Sequence, residues 1–158
     1  MKTLLKLLEK DAKLSPAELA LMCEKEEGDI KKMIEDFEAK GVILGYTTVI
    51  DWDKTDTEYV NALIELKVTP RVGSGYDEIA ERIYSYPEVE SVYLMSGGYD
   101  LTVMLRGKTM REVAIFVAAK LATIEAVTST ATHFVLRKYK DHNVIFGGAP
   151  VDERGNIL

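Results

Sequence analysis

The seven residues Met95–Leu101, Met-Ser-Gly-Gly-Tyr-Asp-Leu, combine flexible backbone, an aromatic ring and a carboxylate in one short link. Gly97 and Gly98 can take the positive φ angles that a tight hairpin needs. Tyr99 and Asp100 then stand beside exposed backbone N–H groups. Such a corner suits a small zwitterion, with N–H groups taking its carboxylate and Asp100 its ammonium. The alternative is a Gly-Gly pair that only turns the chain. Further along, Thr130 and Thr132 carry hydroxyls able to bond a ligand, although threonine is equally a good strand former.

The elements around this link decide between the two. It joins strand-like runs at Val89–Leu94 and Leu101–Leu105. Upstream, Val60, Ala62, Ile64, Leu66 and Val68 alternate with Asn61, Leu63, Glu65 and Lys67, a strand pattern that Pro70 and Gly73-Ser74-Gly75 stop. Tyr76, Ile79, Ala80 and Ile83 mark a helix that ends before Pro87. Thr109 and Glu112 have the spacing of a capping box, and Met110, Val113, Ala114, Val117 and Leu121 continue that helix. Val127–Leu136 is a fourth strand, with Thr128, Thr130, Thr132, Phe134 and Leu136 on one face. The order βαββαβ over residues 60–140 is the ferredoxin-like plan, a four-stranded antiparallel sheet with both helices on one side. That plan leaves a sheet face open. Leu63, Tyr93, Met95 and Val135 are candidates to line one of the faces, and a second copy's sheet can cover the open one. The seven apolar residues Val113 to Ala119 make their helix apolar on more than one side, a further sign of self-association. The alternative is a core completed within one chain.

The first fifty residues hold three short helical patterns. Leu4, Leu5, Leu7 and Leu8 mark the first. Ser15-Pro16-Ala17-Glu18 opens the second as an N-cap, a first-turn proline and a capping box, with Leu14 and Leu19 placed as a hydrophobic staple. Leu19, Met22 and Cys23 are its expected buried stripe. Ile30, Met33, Ile34 and Phe37 give the third helix one apolar face, and Gly41 ends it. Val42–Tyr46 then reads as an extended run. Three helices followed by a β segment read as a helix-turn-helix with a short wing over residues 1–50; the alternative is a docking module without nucleic acid. In the first reading the third helix meets DNA. Gly28, Lys32, Glu35 and Ala39 lie opposite its apolar face, flanked by Lys31 and Asp36. Lys31 and Lys32 suit phosphates or guanine edges, and Glu35 can accept from a cytosine amino group. Lys25 stands alone among Glu24, Glu26, Glu27 and Asp29 at the helix entrance. Residues 1–50 carry 8 lysines and no arginine against 10 acidic residues, a net of −2, so any DNA binding is expected to be salt-sensitive and to depend on assembly. Residues 51–59 read as a polar linker that Trp52 anchors, and residues 141–158, with Gly147-Gly148-Ala149-Pro150, as an extended or mobile arm.

Composition narrows the function classes. The net charge of −6 argues against a broadly basic nucleic-acid coat but leaves room for a local basic face. No apolar run approaches the roughly 20 residues of a membrane span. Lys2 and Lys6 sit inside an amphipathic leucine pattern and not a signal peptide, so a cytoplasmic location is expected. Cys23 is the single cysteine, and His133 and His142 are the two histidines, too few for the usual zinc cluster or a Ser-His-Asp triad. Cys23 is expected as a small core residue and His133 as a structural one. No catalytic residues, metal site or cofactor are expected.

Taken in order, the helix-turn-helix, Gly-Val-Ile-Leu-Gly-Tyr at Gly41–Tyr46, the βαββαβ unit, Ser-Gly-Gly-Tyr-Asp-Leu at Ser96–Leu101 and Thr-x-Thr at Thr130–Thr132 resemble the leucine-responsive/asparagine-operon regulator (Lrp/AsnC) family of prokaryotic transcription factors. The resemblance covers about residues 1–140. It implies an α+β protein with an N-terminal winged helix-turn-helix and a C-terminal ferredoxin-like effector domain. It further implies sheet-to-sheet homodimers that close into larger rings, often octamers, and a small effector, usually an amino acid, bound between dimers. By the family pattern the effector positions are Ser96, Gly97, Gly98, Tyr99, Asp100, Thr130 and Thr132, with Glu125 a weaker carry-over. Operator DNA, double-stranded, would meet the helix near Glu26–Lys40, with Lys25 at its entrance. The chain departs from the pattern at Glu26-Glu27-Gly28-Asp29, where the family's helix opens on polar residues, and at Gly98, where an acid is common. The expected function is therefore a DNA-binding regulator that senses an amino acid. The alternative is an amino-acid-binding oligomer with weak or lost DNA binding.

Overall fold

The computed structural model describes residues 2–70, 73 and 75–146. The Gly147-Gly148-Ala149-Pro150 arm and Ser74 of the expected glycine turn lie outside the described residues. The chain divides after Ile50 into two compact units, and Lys140–Ile145 fall with the first.

In the first unit, α1 spans Lys2–Lys10, α2 Pro16–Cys23 and α3 Glu27–Ala39. The capping box forms: the Ser15 N–H donates to Glu18 Oε2 at 2.8 Å, and the Glu18 N–H donates to Ser15 Oγ at 3.3 Å. The Ser15 hydroxyl, which donates to Glu18 Oε2 at 2.7 Å, and then the Ser15 N–H hold the Glu18 carboxyl below the usual carboxylate range. Leu4, Leu8, Leu19, Ala20, Ile30 and Phe37 make the core, with Leu14 and Cys23 packed against it. Full burial of each large member contributes about 1.5–3 kcal/mol. Met22, expected inside, is 54% exposed. The buried stripe turns toward Ala20, one residue along from Leu19, and leaves Met22 on the other flank.

Glu24 ends α2 in the left-handed region at φ +52, where glycine is the usual residue. Gly41, at φ +66, ends α3, and the Val42 N–H turns back to the Phe37 carbonyl at 2.8 Å. The following run, expected to be extended and to form a short wing, bends at Val42 and Ile43 and pairs with no strand among the described residues. A two-stranded ribbon comes instead from the tail: β5 (Lys140–Asp141) and β6 (Val144–Ile145) are antiparallel. They replace the start of the expected arm. His142 and Asn143, at φ +45 and +63, make the two-residue turn that favours such a ribbon.

The second unit is ferredoxin-like. Its strands are β1 (Val60–Val68), β2 (Val89–Leu94), β3 (Leu101–Gly107) and β4 (Val127–Phe134), and its helices α4 (Asp77–Tyr84) and α5 (Met110–Phe116). The sheet order is β2-β3-β1-β4, with antiparallel pairing throughout. Helix α5 runs into one π turn at Val117–Leu121. Ala62, Ile64, Leu66, Leu101, Val103 and Leu105 meet Ile79, Ile83, Val113, Phe116 and Leu121 in the core. The Thr109–Glu112 capping box forms only by half. Thr109 accepts the Glu112 N–H at 3.1 Å, while the Glu112 carboxylate reaches the Lys108 N–H at 2.8 Å. Residues 51–59 belong to this unit. They contain one 3₁₀ turn at Trp52–Lys54, and the Trp52 ring meets Tyr59 edge-on at 5.0 Å. The Arg106 guanidinium lies over both rings.

Strand alternation puts Leu63, Tyr93, Met104, Ala131 and His133 on the sheet face opposite the helices. Tyr93 and Met95 are exposed there. His133 Nε2 lies 3.4 Å from Glu65 Oε2 on the same face. Among the described residues, no helix is long and apolar enough to cross a membrane.

Candidate effector site and DNA interface

The link between β2 and β3 is six residues long, Met95 to Asp100, and not a tight two-residue turn. Positive φ is needed at Gly97, at +155, but not at Gly98. The link closes where the Met95 N–H donates to the Asp100 carbonyl at 2.8 Å. Asp100 is then fastened to β1 twice. Its N–H donates to the Leu66 carbonyl at 2.9 Å, and its Oδ2 accepts the Val68 N–H at 2.9 Å. The Val68 N–H turns to that oxygen because β3 stops pairing with β1 at Leu101, opposite Leu66. The carboxylate read as an ammonium partner therefore also has a structural task.

Leu66 stands between the two halves of the candidate site. It pairs with Leu101 on one side and Thr130 on the other. Asp100 and Thr130 thus lie at the same end of the sheet, roughly 10 Å apart at two strand spacings. Thr132 follows beside Ile64, and both threonines are half-buried on the helix side of the edge strand β4. Ser96, Gly97 and Gly98 are exposed, while Tyr99 is half-buried. A Cβ added at Gly97 or Gly98 would meet nothing within 4 Å, so the backbone there is open to an incoming group. Glu125 precedes Ala126, whose carbonyl takes the Thr69 N–H at the same end of the sheet. It lines a small cleft of about 100 Å³ with Gly75, Glu78, Ile79 and Arg82.

On α3 and its entrance, Lys25, Gly28, Lys31, Lys32 and Glu35 are all exposed. Lys31 Nζ binds Glu27 Oε1 at 2.6 Å, one turn earlier. A broad groove between the starts of α2 and α3 is lined by Glu24, Glu26, Glu27 and Asp29, with Lys25 among them. Below α3, the Tyr46 hydroxyl donates to Glu38 Oε1 at 2.9 Å. Burial first, and the Glu38 carboxylate second, push this phenol up. Neither this bond nor the tail hairpin was read from the sequence. Asn143, tolerant of the left-handed region, was the available signal for the hairpin.

Comparison with known proteins agrees with this architecture. The model of the Lrp/AsnC ligand-binding domain matches residues 61–145. An uncharacterized HTH-type transcriptional regulator of Bacillus subtilis, YugG, is 45% identical over 152 residues, 96% of this chain and 92% of the relative. The HTH-type transcriptional regulator FL11 of Pyrococcus horikoshii is 31% identical over 140 residues, 89% of each chain. Among solved structures, a Neisseria meningitidis transcriptional regulator in complex with L-Met superposes with a TM-score of 0.71 at 19% identity. That match covers 87% of this chain and 88% of the other. Both relatives carry the name of HTH-type transcriptional regulators. The sequence motifs, the two-unit fold and these matches lead to one assignment: the chain belongs to the Lrp/AsnC family of HTH-type transcriptional regulators.

Proposed function

We propose that this protein is a cytoplasmic, sequence-specific DNA-binding regulator whose second unit oligomerises and senses an amino acid. The observation that carries the reading is the meeting of the open Ser96–Gly98 backbone, Asp100 and Thr130 at one end of the sheet. Exposed N–H groups there can take a carboxylate, and the Asp100 carboxylate can take an ammonium. Tyr99 and Thr132 border the same corner, and Glu125 lines a small cleft with Gly75, Glu78, Ile79 and Arg82. The L-Met bound to the Neisseria regulator supports an amino-acid effector. Residues 1–50 serve as the DNA-binding domain, with Lys25, Gly28, Lys31, Lys32 and Glu35 facing the duplex. The exposed sheet face around Leu63, Tyr93 and Met95 is the dimer surface, from which larger rings up to octamers are built. An effector regulates by binding one assembly state better than another.

The acidic groove at the start of α3 favours a second reading, an amino-acid-binding oligomer with weak or lost DNA affinity. Fluorescence anisotropy separates the two. A regulator binds a duplex from its own promoter more tightly than a random duplex, and its affinity falls steeply with salt. Equal binding to both duplexes at low salt overturns the regulator reading. A shift in melting temperature with an amino acid, without DNA binding, supports the second.

A further inference from the structure

The densest positive charge in this chain is not on α3. Arg137, Lys138 and Lys140 put three cations into four residues around Tyr139, and no other four-residue window of the sequence holds as many. The hairpin that follows is well defined. Lys140 pairs with Ile145 and Asp141 with Val144, and the Phe146 N–H extends the ladder to the Tyr139 carbonyl at 3.0 Å. Arg137 stacks on the Tyr139 ring at 4.9 Å, and that residue stays 69% exposed. Arg137 and Lys140 are exposed too.

We propose that Arg137–Lys140 and the β5–β6 hairpin form a basic wing that grips the phosphates of double-stranded DNA. The inference rests on the DNA-binding reading above and deepens it. Residues 1–50 carry a net of −2, and Lys31 on α3 is already paired with Glu27, so few cations there are free to displace counterions from the duplex. The Arg137–Lys140 strip that leads into the ribbon adds three cations, and phosphate contacts of this kind position a protein without reading sequence. A single exposed tyrosine is too little for the run of stacked bases that holds a single strand, which favours duplex over single-stranded RNA.

The test is anisotropy of full-length protein with a labelled duplex of about 25 base pairs, its own promoter or random, from about 50 to 200 mM salt. The Arg137→Gln/Lys140→Gln variant is expected to bind both duplexes more weakly by the same factor. Its slope of log Kd against log salt should shrink by about 2, one unit per lost phosphate contact. A second variant, Lys140→Glu, should weaken both duplexes while its melting temperature stays at the wild-type value. Wild-type affinity and slope in both variants overturn the wing but leave the regulator reading standing. Loss confined to a single-stranded RNA probe also overturns it. If the wild type binds no duplex at all, the regulator reading fails and the wing with it.

Discussion

Asp100 Oδ2 accepts the Val68 N–H at 2.9 Å, so one carboxylate ties the β2–β3 link to the slip in pairing at the end of β1. A residue in that position answers both to a ligand and to the fold, and substitutions there must separate the two.

Asp100→Ala leaves the part-buried Val68 N–H without its acceptor and is expected to destabilise the fold by about 1–3 kcal/mol. Asp100→Asn keeps an acceptor oxygen and loses the charge. It should melt within about 1 kcal/mol of wild type and yet lose calorimetric affinity for the responding amino acid, with L-methionine the first probe. Unchanged ligand affinity in Asp100→Asn would remove Asp100 from the ammonium site.

Gly107 at the end of β3 packs so closely under α5 that a Cβ would lie 2.9 Å from Val113 Cγ2. Val113 is buried and has little room to yield. Gly107→Ala is expected to cost about 1–3 kcal/mol in urea unfolding. A neutral result would mean that the start of α5 shifts freely on the sheet.

Glu24 occupies a left-handed position at φ +52. Glu24→Gly relieves that strain and is expected to stabilise the first unit by up to about 1 kcal/mol, less the flexibility glycine adds to the unfolded chain. It also removes one acidic group from the groove at the start of α3, so DNA affinity at low salt should rise and not fall.

The Glu18 carboxyl is held low by its bonds to Ser15. Its contribution is therefore fully present above the unfolded carboxylate value and is lost as pH falls through the lower folded one. The melting-temperature gap between wild type and Glu18→Gln should be widest near neutral pH and close between about pH 5 and pH 3. A gap that widens with acid would contradict the capping box.

Lys31→Ala with Lys32→Ala should weaken duplex binding without changing the size of the assembly on gel filtration. Lys31 is already paired with Glu27, so most of the loss should come from Lys32. Affinity unchanged in the double variant would move the DNA contact off α3.

Local chemistry written in the chain determined a good deal. Ser15, Pro16 and Glu18 announced where α2 starts, because a cap is satisfied by residues three apart. The alternation from Val60 to Val68 named the core face of β1, because successive strand side chains point opposite ways. The Ser96–Asp100 link and the Thr130–Thr132 pair were visible as candidate ligand groups for the same reason: residue type and spacing carry them. Tertiary structure alone decided the rest. Sequence periodicity cannot tell which strands become neighbours, so it could not place Asp100 and Thr130 on either side of Leu66. Nor could it find that the Val68 N–H claims an Asp100 oxygen, since that N–H is left over only where β3 stops pairing with β1. The tail hairpin escaped because a two-residue strand leaves no periodic pattern, and its membership of the helical unit is a matter of long-range packing.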